Sequence, residues 1–315
     1  MQSLLAKLKA VALLTAGLAA TDLGAQNLLT PGFLKVDYFD TIDQNGVDAV
    51  LTDPRYPSSP TSTEYWNVFG PYTTGNHHGE HFGARVTGFV IPPVTGDYKF
   101  YFRSDDAGQL SLSTDETEAN LALICQQTGC CNAFTDSEGV LSSVPVNLIA
   151  GKKYFIEGIL QENTGDDYIQ VAWRTPGEDL NNIAGLQPIS SAYLAAVAPT
   201  AGKSVAITQP PASVSRQQND TATFTVDFTS TPTSPTAIAW FKNGIPIPGA
   251  SGKTYTTPLL KASDDNAKIK VQVSVPGAVA VSAEATLTVT ADTVLPTIAS
   301  VRGSASFTQV TVAFS

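Results

Sequence analysis

The chain has 315 residues, of which 43% are hydrophobic and 15% charged, and its formal net charge is −10. That composition excludes a disordered acidic tail, which lacks the apolar residues for a core. The acidic balance argues against a nucleic-acid partner, which wants a basic face, and suits a soluble surface or a cation site. The length is enough for two domains with cores of their own, and 24 glycines and 20 prolines suit many short strands joined by turns.

The first 25 residues read as a secretory signal. Lys7 and Lys9 precede the short apolar run AVALLTAGLAA at 10–20, and a small-residue cut follows Ala25 in LGAQ, with Leu23 an imperfect fit at the minus-three position. The apolar run is too short to span a bilayer, and no other long one exists. The expectation is a secreted, extracellular or cell-surface protein with no membrane span.

Beyond residue 25 nearly every periodic stretch alternates with period two. DYKFYFRS points Tyr98, Phe100 and Phe102 one way and Lys99, Tyr101 and Arg103 the other. QLSLST puts Leu110 and Leu112 on one face. KKYFIEGIL and DYIQVAWRT are further strands, punctuated by PPVTGD, DDAGQ, IAGKK, NTGDD and RTPGED. The only helical signal is a weak one in ISSAYLAAVA. Export makes disulfides available, and Cys125, Cys130 and Cys131 crowd into CQQTGCCN. A local bridge from Cys125 to Cys130 or Cys131 leaves an odd thiol, and the connectivity is not fixed by sequence. A zinc site there lacks a fourth ligand.

VAPTAGKSVAITQPP at 197–211 reads as a linker, after which Thr, Val and Ala dominate. TATFTVDF, AIAWFKNGIPIPG, KIKVQVSV and EATLTVTA are strands at sandwich-like spacing, with a hairpin turn at Lys242-Asn243-Gly244. ADTVLPTIASVRGSASFTQVTVAFS opens a third pattern too short to close a sandwich, so the chain is expected to continue.

GARVTGFVIPPVTGDYKFYFRSDDAGQLSLSTDE and AGKKYFIEGILQENTGDDYIQVAWRTPG carry a resemblance to the protective-antigen-type (PA14) β-barrel domain. The shared pattern is a strand ending in Ser-Asp-Asp, a leucine-rich strand, GK with two aromatics, a TG-x-D loop and a tryptophan strand before PG. GFLKVDYFD resembles the family's first strand. The cysteine loop 125–131 is not a general family feature. WFKNGIPIPGASGKTY makes the second domain similar to bacterial immunoglobulin-like (Ig-like) domains. Trp240 takes the buried strand-C position, Val226 and Val271 stand where antibody domains have their cystine, and Ile269 replaces the corner tyrosine. Residues 292–315 resemble the start of another such repeat. The resulting expectation is all-β: a β-sandwich or barrel over 26–195, a linker at 196–206, an Ig-like sandwich at 207–291 and a truncated further unit at 292–315.

In calcium-dependent members of the family, two neighbouring acids joined by a cis peptide hold one calcium ion, and the ion holds vicinal sugar hydroxyls. The resemblance therefore implies calcium at Asp105 and Asp106, with Asn163, ten residues into the strand from Tyr154, as third ligand and backbone oxygens after it completing the shell. All are hard oxygens of the kind calcium takes. As residues alone, Asp-Asp-Ala-Gly is also ordinary hairpin-turn chemistry. Asp167 fills the TG-x-D position and either faces the ligand or ties its loop by side-chain-to-backbone bonds. Asp166 adds charge beside the ion.

Other motifs compete less well. His77, His78 and His81 with Glu80 invite zinc, but no helix surrounds them and Gly79 loosens the spacing; a solvated loop is expected. Tyr65, Trp66, Phe69 and Tyr72 suit a sugar platform, with core packing the default. GASGKT at 249–254 mimics a phosphate loop but has Ile247 where glycine is needed. Asn219-Asp220-Thr221 is a glycosylation sequon. No catalytic signature stands out, although a long-range carboxylate pair for glycoside hydrolysis is not readable from sequence. The sequence thus points to a non-enzymatic adhesion protein that binds a glycan or polysaccharide, with calcium implied and multivalent surface display on Ig-like spacers. The competing readings are an accessory region of a larger exported enzyme, such as a glycoside hydrolase, and a purely structural surface module.

Overall fold

The computed structural model describes residues 26–293, 298–304, 306 and 308–314. The segment read as a secretory signal, 1–25, lies outside them.

The first domain has strands β1 (Asn27–Pro31), β2 (Leu34–Asp40), β3 (Ser62–Trp66), β4 (Phe82–Val90), β5 (Gly96–Asp105), β6 (Ala107–Ser113), β7 (Leu121–Gln127), β8 (Val146–Leu148), β9 (Tyr154–Glu162), β10 (Tyr168–Arg174) and β11 (Leu194–Pro199). They form two sheets and no closed barrel, so of the two expected architectures the sandwich is the one found. The large sheet runs β1-β11-β4-β9-β6-β7, with β2 and β3 joined through β4, and the small one runs β10-β5-β8. The period-two reading holds where it was made. Tyr98, Phe100 and Phe102 face Leu110, Leu112, Ile156, Val171 and Trp173 in the core between the sheets. Tyr101 on the opposite face is also buried, with Ala172 and Leu186.

A short helix, α1 (Val47–Leu51), was not foreseen; it buries Val47 and Val50 beside Phe39, Ala107 and Ile159 on the outer face of the large sheet. The weak helical signal in ISSAYLAAVA resolves into one 3-10 turn, Ser191–Tyr193, and β11. The helical periodicity is overridden because β11 pairs with both β1 and β4, which satisfies its backbone in the sheet.

The segment read as a linker is strand at both ends: β11 runs to Pro199 and β12 (Ser204–Gln209) begins the second unit. That unit continues through β13 (Val214–Gln217), β14 (Thr223–Thr225), β15 (Asp227–Thr231), β16 (Ala237–Lys242), β17 (Ile245–Pro246), β18 (Thr254–Thr256), β19 (Ala267–Val275), β20 (Ala278–Val281) and β21 (Ala285–Thr290). Its main sheet is β13-β21-β19-β16-β17, with β20 beside β19, and β14-β18 and β12-β15 form separate pairs. Trp240 is fully buried among Val226, Ile269 and Val271, and its Nε1 donates to Gly252 O at 2.8 Å. The expected hairpin turn joins β16 to β17, with Asn243 and Gly244 both at positive φ. Residues 298–314 add one two-stranded ladder, β22 (Ile298–Gly303) with β23 (Val310–Phe314).

The two units touch directly. Phe33 and Ala196 pack on Ala237, Gly277 N donates to Thr30 Oγ1 at 3.0 Å, and Asn67 Nδ2 donates to Thr236 O at 2.8 Å. No helix among the described residues is long and apolar enough to cross a membrane.

Candidate functional site

β5 ends at Asp105 in the small sheet, and β6 begins at Ala107 in the large one. The Asp105-Asp106 step is therefore where the chain crosses between sheets. Its peptide bond is cis. Two features lock the crossover from beneath. Ser104 Oγ donates to Asp106 O at 2.8 Å. Gly108 follows because a Cβ there would meet Ser104 Oγ at 2.7 Å and the Ile159 carbonyl at 3.0 Å.

The three sequence-derived cation ligands come together. Asn163 follows directly on β9, and its backbone N–H donates to Asp106 Oδ2 at 3.1 Å. Asp105 is 7% exposed and Asp106 is half-buried, so the pair lies at the end of the core rather than on a free turn. The sequence reading missed a third carboxylate. Glu162, the last residue of β9, is 0% exposed, and one of its oxygens lies within 4.8 Å of one oxygen each of Asp105 and Asp106. Neither Glu162 oxygen has a hydrogen-bond partner. Burial, and then the charges of Asp106, Asp105 and Asp167, push the Glu162 carboxyl up to about 8. Burial and the charges of Asp106, Asp166 and Asp167 push Asp105 up to about 6. Desolvation and like charge act together on both groups, because no cationic side chain among the described residues answers them. The donor set is all oxygen and strongly anionic, which fits a hard divalent cation.

Asp166 and Asp167 part company. Asp166 is exposed at the rim. Asp167 is 3% exposed, and its Oδ2 accepts the amides of both His77 and His78 at 2.8 Å. The carboxylate thus ties down a loop, the second of its two expected roles, but the loop belongs to the histidine segment rather than to its own turn. That segment wraps the site's edge: His81 N donates to Asn163 O at 2.9 Å, Asp167 N donates to Gly75 O at 3.0 Å, and Gly165 N donates to Glu80 Oε2 at 2.9 Å. The histidines form no metal-ligand group among the described residues. His78 stacks on Tyr38 at 3.6 Å and His77 on Tyr72 at 3.8 Å, while His78 Nε2 meets Asp40 Oδ1 at 2.8 Å. Of the four candidate platform aromatics, Trp66 and Phe69 are core residues, Tyr72 packs against that core, and Tyr65 packs beside Phe33.

The cysteine loop is corrected. Cys130 and Cys131 are bonded to each other, and Cys125 is a free, buried thiol on β7. β7 turns Cys125 into the core beside Leu110, its partner on β6. The Cys130–Cys131 pair borders the acids instead. Cys131 Sγ lies 3.1 Å from Asp105 Oδ1, and Cys131 N and the Gln127 amide both donate to Ser104 O.

The family model of the PA14 domain matches residues 31–184. A 90-residue stretch is 33% identical to mouse fibrocystin-L, covering 29% of this chain and 2% of that protein. A 102-residue stretch is 32% identical to mouse N-acetyl-beta-glucosaminyl-glycoprotein 4-beta-N-acetylgalactosaminyltransferase 1, covering 30% of this chain and 10% of that enzyme. The chain thus spans a small fraction of either relative. Among solved structures, the PA14 sugar-binding domain from an RTX adhesin aligns with a TM-score of 0.40 at 11% identity, covering 53% of this chain and 99% of that one. The PA14 match falls within the first of the chain's two sandwiches.

Proposed function

We propose that the first domain binds a carbohydrate through a calcium ion held by Asp105, Asp106 and Asn163, and that it does so outside the cell or on its surface. The observation that carries this is the convergence of Asp105 and Asp106 at the sheet-to-sheet crossover, where the Asn163 backbone N–H donates to Asp106 Oδ2. A carboxylate pair whose charge the protein leaves unbalanced is a site prepared for a cation. An ion at the end of a sandwich keeps one side open, and vicinal hydroxyls are neutral oxygen donors suited to fill it. Asp166 lies exposed at the rim, within reach of the ion's field, while Asp167 and the histidine loop hold the Asn163 carbonyl and the Gly165 amide in place. The domain acts by binding and not by catalysis. The second sandwich, docked on the first, serves as an Ig-like spacer, and several copies on one surface convert weak single contacts into adhesion.

The test is a broad glycan array probed at high density with calcium and then with chelator. Binding that disappears in chelator and in the Asp105→Ala/Asp106→Ala variant is expected. An array on which the chain never exceeds that variant would end the carbohydrate reading and leave a structural surface module. A signal confined to one insoluble polymer would favour the accessory region of a larger exported enzyme.

A further inference from the structure

We propose that Glu162 is a ligand of the same ion, closing the site from the core side. The inference rests on the calcium reading above and adds to it a residue at a position where β-strand alternation calls for an apolar side chain. Along β9, Ile156, Leu160 and Glu162 share the inward face, and the first two are core residues. Glu162 is as buried as they are, at 0% exposure, yet it ends in a carboxylate with both oxygens unpartnered. None of the described Lys, Arg or His side chains pairs with it; Arg85 on the neighbouring strand β4 pairs with Glu157 and Glu118 on the other face of the sheet.

An unpartnered buried carboxylate is costly, and a protein retains one where something absent from the chain itself answers it. The geometry indicates what. Two ligand atoms on opposite sides of a calcium ion at about 2.4 Å each lie about 4.8 Å apart. One carboxylate oxygen from each of Glu162, Asp105 and Asp106 lies within 4.8 Å of the other two, a spacing that one ion can bridge with small side-chain adjustment. Burial is graded, with Asp106 half-exposed, Asp105 nearly buried and Glu162 fully buried. Glu162 therefore meets the ion from below, and Asp105 and Asp106 flank it nearer the surface. Three carboxylates hold the ion in the absence of sugar and leave its outer side to ligand hydroxyls.

The test uses the whole chain with calcium by calorimetry and with terbium by luminescence. Glu162→Gln keeps the side chain's shape and removes one charge. The expected result is one bound ion in both proteins and a calcium affinity weakened by roughly tenfold or more. The terbium decay in light and heavy water should report one additional inner-sphere water in the variant, with the melting temperature in chelator at neutral pH not lowered. A merely structural Glu162 would lower that melting temperature and leave affinity and water count alone, and that outcome overturns the inference. If Glu162→Gln does not fold, Glu162→Asp, which draws the carboxylate back by one methylene, is read in the same way. Failure of the calcium reading looks different: the unmodified chain binds no ion, or Asp105→Asn/Asp106→Asn binds it equally well.

Discussion

Without a cation, the first domain should lose stability as pH rises from 5 to 8. Glu162 holds its proton up to about 8 in the folded chain, whereas an unfolded glutamate releases it near about 4.3. Between those values the native state carries a proton that the unfolded state lacks, so stability falls as pH rises, by about 1.4 kcal/mol per pH unit for one full proton. Asp105, pushed up to about 6, adds to the fall in the lowest part of that window. The groups facing these two are Asp106, Asp166 and Asp167, all anionic, so nothing nearby reverses the sign. The carboxyls that ion pairs hold low, Asp40, Asp53, Asp136 and Asp264, are ionised in both states throughout this window and do not contribute. The expected loss is on the order of 4 kcal/mol, or roughly 10 °C in melting temperature for a domain of this size. Calorimetry in chelator at four pH values measures it, with Glu162→Gln identifying the transition by flattening its slope. A first-domain transition that stays level or climbs from pH 5 to 8 would refute the reasoning.

Calcium at a hundred times its dissociation constant should stabilise the first domain by about 2.7 kcal/mol, and Asp106→Ala should abolish the effect; a shift that survives the substitution would place the ion elsewhere. Trp240→Ala should cost the second sandwich roughly 3–5 kcal/mol in urea denaturation, because the ring is 0% exposed at the centre of that core; a cost below about 1 kcal/mol would mean that the packing is not what holds the unit. The Cys125 thiol, pushed up to about 12 by burial, should resist a thiol reagent in the native chain. Without reductant it should be the only cysteine to react in denaturant, and three reactive thiols would refute the Cys130–Cys131 pairing.

How much the sequence disclosed depended on how local each feature is. The Asp105-Asp106 pair and the strands around it follow from adjacent residues and a period of two, so they were readable. Asn163 was reachable only through a family resemblance, because its contact with Asp106 joins residues far apart in sequence at the ends of the paired strands β6 and β9. Glu162 carried a signal that went unread: a glutamate on the inward face of YFIEGILQE conflicts with its neighbours, and such conflicts concentrate at functional sites. The histidine loop gave no usable signal, since its partners, Asp167 and Asn163, are set by tertiary packing. The cysteines were misjudged for a related reason. Spacing in CQQTGCCN suggests a loop closed on Cys125, but β7 fixes that side chain toward the core. The linker reading followed Pro, Gly and Ser composition, whereas pairing of β11 with β1 and of β12 with β15 decides the structure there.

The most direct measurement is a crystal structure of the chain grown with calcium and soaked with a glycan taken from the array, with anomalous data to locate the ion. The expected result is one calcium peak about 2.3–2.6 Å from oxygens of Asp105, Asp106 and Asn163, with two vicinal sugar hydroxyls on its open side. A sugar bound away from that ion, or a calcium peak at any other place with these carboxylates left bare, would contradict it.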